Sequence, residues 1–254
     1  MSFNPMSLEG KRILITGASS GIGRATAQVI SNLGATTVLL GRSEERLKAT
    51  LSSLSGEGHG SYAFDLCNTD GIPALLRIIA SEQGRLSGLF HSAGVESNRS
   101  VKMISSEDID RVFCSSIKAA VLLTRGICQK DVRAADGLSI VFMSSVAGQT
   151  GTTGRSVYSA SKAAVDGAMR SLACELAPKG VRVNSVAAGA VQTEMMEKVI
   201  ESLPPRSLED FKRRHLLGFG SPHDVANAVA FLLSGASKWI TGTVCLVDGG
   251  YCCQ

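Results

Sequence analysis

The sequence contains no run of five or more lysines and arginines and no basic stretch interleaved with aromatics. Despite a net charge of +4, that absence argues against a nucleic-acid partner. No apolar stretch approaches the roughly 18 residues of a membrane span, and the start, MSFNPMSLEGKR, has no signal-peptide core. No membrane partner is therefore expected. The seven cysteines (67, 114, 128, 174, 245, 252 and 253) show no CxxC or Cys/His spacing, so no metal site is expected, and their number is odd. Most fall in apolar segments, where a reduced cysteine behaves as a small hydrophobe; the adjacent Cys252 and Cys253 read as an untidy terminus. A reducing, cytoplasmic compartment is expected. No Pro/Gly-rich linker, repeat or low-complexity tract interrupts the chain, so residues 1–254 are expected to form one domain.

What is present is ordinary globular composition, 44% hydrophobic and 19% charged. Short β-rich runs alternate with helical segments. The runs are RILITG, TTVLLG, SYAFDL, LFHSAG, SIVFMSS, RVNSVAAG and TVCLVDGG; the helical segments include GRATAQVISNLG and SPHDVANAVAFLLS. Near-continuous apolar strands separated by helices predict an α/β fold, a doubly wound parallel seven-stranded sheet with helices on both faces. Residues 193–217, with SLPPRS and EDFKRRH, are expected to be a helical flap or loop over the sheet edge that meets substrate. The loop QKDVRAADGLS is expected to be exposed.

Within ILITGASSGIGRATA an apolar strand runs into Gly17, Gly21 and Gly23 and then a helix. The glycines allow a tight turn and close backbone approach, and the helix start offers free N–H groups to a phosphate. This predicts a dinucleotide site. At the end of the second strand, Gly41 occupies the place where an acidic residue would hold the ribose 2′-hydroxyl, and Arg42 follows. A guanidinium suits a 2′-phosphate, so NADP(H) is expected over NAD(H), which stays possible. The alternative is a solvated arginine at a helix start.

In SVYSASKAAV, Tyr158 and Lys162 stand four apart and share a helix face. A free phenol has pKa near 10. The ammonium one turn away is expected to lower it and make a tuned acid/base. At the end of the fifth strand, Ser144 and Ser145 are placed to give a carbonyl oxygen a second hydrogen bond.

TGASSGIG and YSASK together resemble the short-chain dehydrogenase/reductase family. The resemblance extends over nearly the whole chain and is strongest to the bacterial 3-oxoacyl-(acyl-carrier-protein) reductase group. It implies a Rossmann-like sheet and an NADPH-dependent reductase, with a 3-oxoacyl thioester, free or carrier-bound, as first substrate. The alternatives are a secondary alcohol, sterol or sugar dehydrogenase, or a non-catalytic NADP(H)-binding sensor or assembly module. Family spacing selects Ser145 as the partner of Tyr158, gives Lys162 the nicotinamide ribose and places the family's relay asparagine at Ser116. The cofactor is then expected along Gly17, Ser19, Ser20, Gly21, Ile22, Gly23, Arg42, Asp65, Leu66, Ala93, Gly94, Gly189, Val191 and Thr193, beside Tyr158 and Lys162. Asp65 would contact adenine or cap the next helix; Thr193 would hold the carboxamide or cap its own helix. A homotetramer or dimer is implied.

Three departures from the family stand out. Ser116 replaces the asparagine, which implies a slower proton relay. His91 and Ser92 replace two asparagines; a packed, hydrogen-bonded His91 is expected over one titrating near neutrality. Ala188 replaces a proline, which is expected to loosen the loop beside the nicotinamide. Substrate choice falls to residues 95–103, 146–155 and 193–217. The cluster KRRH at 212–215 reads as a solvated helix face, with docking of an acidic carrier protein as the alternative.

Overall fold

Alternate residues of the central strands face opposite helical layers, as the period of two requires. Ile13, Ile15, Leu39, Val141 and Met143 pack on one face with Ala27, Ile30, Val225 and Val229. Leu14, Val38, Leu40, Ile140 and Phe142 pack on the other with Leu76, Leu123, Val165 and Met169. The computed structural model describes residues 4–202 and 205–254. Leu203 and Pro204, inside the expected flap, lie outside the described residues, as do residues 1–3.

The strands are β1 (Arg12–Thr16), β2 (Thr36–Gly41), β3 (Gly60–Ala63), β4 (Gly88–His91), β5 (Leu138–Ser145), β6 (Val181–Ala188) and β7 (Val244–Val247). All pair in parallel, in the order β3-β2-β1-β4-β5-β6-β7. This is the expected doubly wound sheet. Helices α1 (Gly21–Asn32) and α9 (Pro222–Leu233) cover one face; α3 (Ile72–Gln83), α5 (Ala119–Ile127) and α6 (Ser156–Leu176) cover the other. The shorter α2 (Glu44–Leu51) and α4 (Ser106–Phe113) flank them, and α7 (Glu194–Ser202) and α8 (Pro205–Arg213) make the flap. Local chemistry starts several helices. Ser105 with Asp108 and Ser221 with Asp224 form capping boxes, and Pro222 occupies a first-turn position where its missing N–H does no harm.

Strand order reverses between β1 and β4. A parallel sheet opens a crevice at such a point, beyond the carboxyl ends of its strands. Thr16, His91 and Phe142 stand in register there, and Ser145 is paired to Ala188 at the end of the longest strands. The segment 129–139, expected to be exposed, is only partly so: Val132 is buried and packs on the core, and Leu138 and Ser139 are buried as the start of β5.

The cysteines depart from expectation. Cys67, Cys174 and Cys253 are exposed, and Cys114, Cys128, Cys245 and Cys252 are only half-buried. The apolar runs that contain them have two faces, and sequence does not say which one a small residue occupies.

Candidate active site

A cleft of about 1160 Å³ runs along the carboxyl ends of the strands and gathers nearly every residue singled out above. At one end lies the glycine turn. Gly17 has φ +65°, and a Cβ there would sit 2.9 Å from the Ala93 nitrogen. A Cβ on Gly23 would run into the Gly17 carbonyl oxygen. The β1–α1 turn is therefore packed against the β4 turn, as tightly as backbone allows. Ser20 precedes α1 without a side-chain cap, and Gly21, Ile22 and Gly23 line the cleft at the helix start. These are the features a dinucleotide diphosphate requires. The residues fit the cofactor.

Ser19, Arg42, Asp65 and Leu66 line the same end. Arg42 is exposed and makes no ion pair among the described residues, leaving its guanidinium open to a phosphate. Asp65 caps no helix. Its Oδ1 accepts from the Cys67 N–H at 2.9 Å and closes the turn after β3. Thr193 does cap α7, accepting from the Met196 N–H at 3.2 Å, and it also lines the cleft with Gly189 and Val191.

The opposite end holds Ser145, Tyr158 and Lys162. Helix α6 presents Tyr158 and Lys162 on one face, with the Lys162 Nζ 5.5 Å from the phenol ring centre. Ser145, at the end of β5, lines the cleft beside Tyr158 and draws its pKa downward. Ser144 also lines the cleft, but its Oγ is buried without a partner among the described residues. Lys162 donates to the Met143 carbonyl at 2.8 Å and is buried. Burial lowers its pKa to about 8, against upward pulls from Asp166 and Glu96. The expected lowering of the phenol is not what the protein shows. Burial, reinforced by the carboxylate of Glu96, pushes Tyr158 up to about 12, outweighing Ser145 and Arg155. Lys162 is still largely cationic at neutral pH, but no pull from it offsets the burial of the phenol.

Ser116 sits on a π turn, Cys114–Lys118, between α4 and α5. Such single wide turns concentrate at functional sites. Its Oγ is buried with no partner among the described residues. A methyl on Gly94 would lie 3.6 Å from both that oxygen and the Lys162 Nζ. Ser116 therefore borders the lysine across Gly94.

His91 has the packed, hydrogen-bonded role expected of it. Its Nε2–H is shared between the Ser115 and Ser116 carbonyls, each at 3.1 Å, so its Nδ1 accepts from the Thr16 hydroxyl at 2.9 Å. Thr16 Oγ1 in turn accepts from the Ala93 N–H at 3.1 Å. The ring ties β1, β4 and the π turn together. Burial, helped by Lys162, drives its pKa down to about 4, so it is neutral at physiological pH.

Glu96 and Arg155 lie in the segments expected to choose substrate, but sequence reasoning did not single them out or pair them. Arg155 Nη2 lies 2.5 Å from Glu96 Oε1, and both side chains are largely buried at 17% and 15% exposure. The guanidinium carbon is 5.9 Å from the Tyr158 ring centre. Burial raises the pKa of Glu96 against the pull of Arg155 and Lys162. With Asn98, Thr150, Thr152 and Thr153 the pair makes a polar wall; Met195, Met196 and Phe211 face the same cleft from the flap. A charged residue three places before the tyrosine was visible in the sequence, but its partner was not.

His215 is also misplaced by its sequence neighbourhood. The run KRRH is not a uniformly solvated face: Lys212, Arg213 and Arg214 are exposed, whereas His215 is buried.

A family profile described as enoyl-(acyl carrier protein) reductase matches residues 17–252. A 3-oxoacyl-(acyl-carrier-protein) reductase of Thermotoga maritima is 36% identical over 248 residues, covering 96% of this chain and 99% of that protein. Among solved structures, a candidate NAD(P)-dependent gluconate 5-dehydrogenase from Beutenbergia cavernae, with NADP bound at low occupancy, superposes with TM-score 0.89 at 29% identity. That match covers 99% of this chain and 100% of the other. A candidate 2-deoxy-D-gluconate 3-dehydrogenase from Agrobacterium tumefaciens with bound NADP gives TM-score 0.88 at 26% identity, with the same coverage.

Proposed function

We propose that this chain, which belongs to the short-chain dehydrogenase/reductase family of NAD(P)-dependent oxidoreductases, reduces a ketone carbonyl with NADPH. The observation that carries the reading is the gathering of Ser145, Tyr158 and Lys162 in a cleft whose other end is a glycine turn fitted to a dinucleotide. NADPH, when bound, supplies the hydride. Ser145 and Tyr158 hold the carbonyl oxygen with two hydrogen bonds, which strengthen as charge develops on it. Tyr158 then gives its proton to that oxygen. A phenol held near 12 stays protonated at neutral pH, the state a proton donor needs. Lys162, cationic below about 8, stands 5.5 Å from the phenol ring centre, and Ser116 borders the route by which the phenolate regains a proton.

The substrate we favour is a 3-oxoacyl thioester, free or on a carrier, following the T. maritima relative. The apolar flap residues Met195, Met196 and Phe211 suit an acyl chain. A second reading, a hydroxylated keto acid, is favoured by the buried Glu96–Arg155 pair and its threonine-rich wall, and by the two sugar-acid dehydrogenase neighbours. Arg42 supports NADPH over NADH, and both of those neighbours hold NADP. Exposed Ala160 and Ala163 on α6, and the half-exposed Leu246 on the edge strand β7, suit the homotetramer or dimer that we expect.

The test is cofactor oxidation with acetoacetyl thioester and with a keto-gluconate, using NADPH and NADH, on the wild type and Arg42→Ala. We expect NADPH to be preferred at least about tenfold, and the preference to shrink in the variant, as loss of a charge-assisted hydrogen bond implies. A preference for NADH would overturn the role of Arg42. Turnover of the keto-gluconate alone would select the second reading.

A further inference from the structure

The end of β6 carries Ala188, not the proline that would stiffen the strand's exit, yet the loop that follows is not loose. The Gly189 N–H donates to the Val247 carbonyl at 3.1 Å, and Gly220 exchanges backbone hydrogen bonds with Ala190 and Gln192 at 3.0 and 2.9 Å. One further donor, the Ala190 N–H, is satisfied by a side chain: it donates to His215 Nε2 at 3.0 Å. The other ring nitrogen, Nδ1, lies 2.9 Å from the Phe211 carbonyl, which can only accept. The two bonds together assign the tautomer. Nδ1 bears the proton and Nε2 is the acceptor, so the bond to Ala190 exists only while the imidazole is neutral.

The ring is built into a knot of three segments. Phe211 at the end of α8 and Phe219 beyond it stand edge-on to the imidazole at 5.0 and 5.3 Å, and Tyr251 from the C-terminal segment lies against it at 4.7 Å. Arg214 covers the outer side of Tyr251 at 4.1 Å. His215 is only 4% exposed. The charged groups acting on it are Asp248, from the segment after β7, which favours protonation, and Arg214, its chain neighbour, which opposes it; burial dominates and lowers the pKa below 6.5. From the β6 side the ring meets the Ala190 N–H.

The geometry points to His215 as a positioning residue for the cofactor: through Ala190 it fixes residues 189–193, the edge of the cleft that carries Gly189, Val191 and Thr193. This rests on reading those residues as the nicotinamide edge. Protonation replaces the Nε2 lone pair with an N–H aimed at another N–H, so the ring repels the loop that it held. His215 then links cofactor affinity to pH and to the flap, because α8 ends in the same knot.

Two variants separate this role from mere packing. His215→Phe keeps the ring and loses the acceptor; His215→Gln keeps an acceptor that does not titrate. NADP+ binding by calorimetry from about pH 8 to about pH 5 is the first readout. We expect His215→Phe to bind about five- to tenfold more weakly at pH 8, the effect of one lost hydrogen bond. We expect the glutamine variant to match the wild type there. As pH falls below 6.5 the wild type should weaken relative to the glutamine variant; titration of the cofactor's own phosphate is common to both and cancels. The second readout is exchange of the Ala190 amide hydrogen without cofactor, slow in the wild type and the glutamine variant and fast in the phenylalanine variant. Wild-type NADP+ binding at pH 8 tests the cofactor reading, and dependence on residue 215 tests this one. Equal affinities and equal Ala190 exchange in wild type and His215→Phe would overturn the proposal, as would parallel pH curves for wild type and His215→Gln.

Discussion

At the scale of single residues, burial decides the electrostatics of this site more than neighbouring charge does. Tyr158 is raised, Lys162 and His91 are lowered, and in each case desolvation is the largest cause. For His91 this has a consequence for stability. Its folded pKa, about 4, lies below the ordinary 6.5, so the unfolded chain binds the extra proton between those values. Stability is therefore complete above pH 6.5 and is lost as pH falls towards 4. The full loss is on the order of 3 kcal/mol. Urea unfolding at neutral and acid pH should show the wild type losing about that much more than His91→Asn. Equal losses would mean that the buried ring does not titrate as its surroundings require. Tyr158 and Lys162 were legible as a pair because four residues make one helical turn. The direction of the phenol's shift was not legible, since it is set by how deeply the fold buries the ring and reinforced by Glu96, brought in from another loop.

At the scale of elements, the legible features are those encoded locally. The strands follow from unbroken apolar runs, and α9 starts at Ser221 because Ser221 and Asp224 satisfy each other's backbone donors. The β1–α1 turn was legible as a glycine pattern, and its packing explains why each position matters. Gly23→Ala should force the turn apart from Gly17, destabilising the fold by about 1–3 kcal/mol. It should also weaken NADP+ binding more than tenfold. Gly94→Ala, whose methyl would meet only ordinary contacts at 3.6 Å, should leave the melting temperature nearly unchanged. Thermal melts and NADP+ titrations of the two variants check the contrast; a stable, tightly binding Gly23→Ala protein would show that the turn is not the dinucleotide cradle. Two junctions between elements escaped the sequence. The loop after β4 is fastened to the loop after β5 by Arg155–Glu96 and by the Arg99 N–H donating to the Gly154 carbonyl at 2.8 Å. The loop after β6 is fastened to the flap through His215. Each joins segments that only the sheet topology brings together, and nothing in either segment names its partner.

For the whole molecule, the parallel order β3-β2-β1-β4-β5-β6-β7 brings the phosphate turn, the Ser145–Tyr158–Lys162 cluster and the flap to one edge of one sheet. Alternation of strands and helices made that architecture readable, because a parallel sheet leaves few ways to connect such elements. The cysteines show the limit of the same logic. Most of the seven looked like small core residues of apolar runs, and none is fully buried, because a run that packs on one face leaves its other face to solvent. Substrate choice, which we expect to be set where three loops meet, lies at the same limit. The function we propose puts a proton donor, Tyr158, at the end of a cofactor cleft. The most direct test is the steady-state reduction of acetoacetyl thioester by NADPH, comparing wild type with Tyr158→Phe and measuring NADPH affinity in both. The account expects kcat to fall by about 10² to 10⁴, the usual contribution of a positioned general acid, with NADPH affinity within about twofold. A Tyr158→Phe protein that binds NADPH normally and still turns over at the wild-type rate would contradict it.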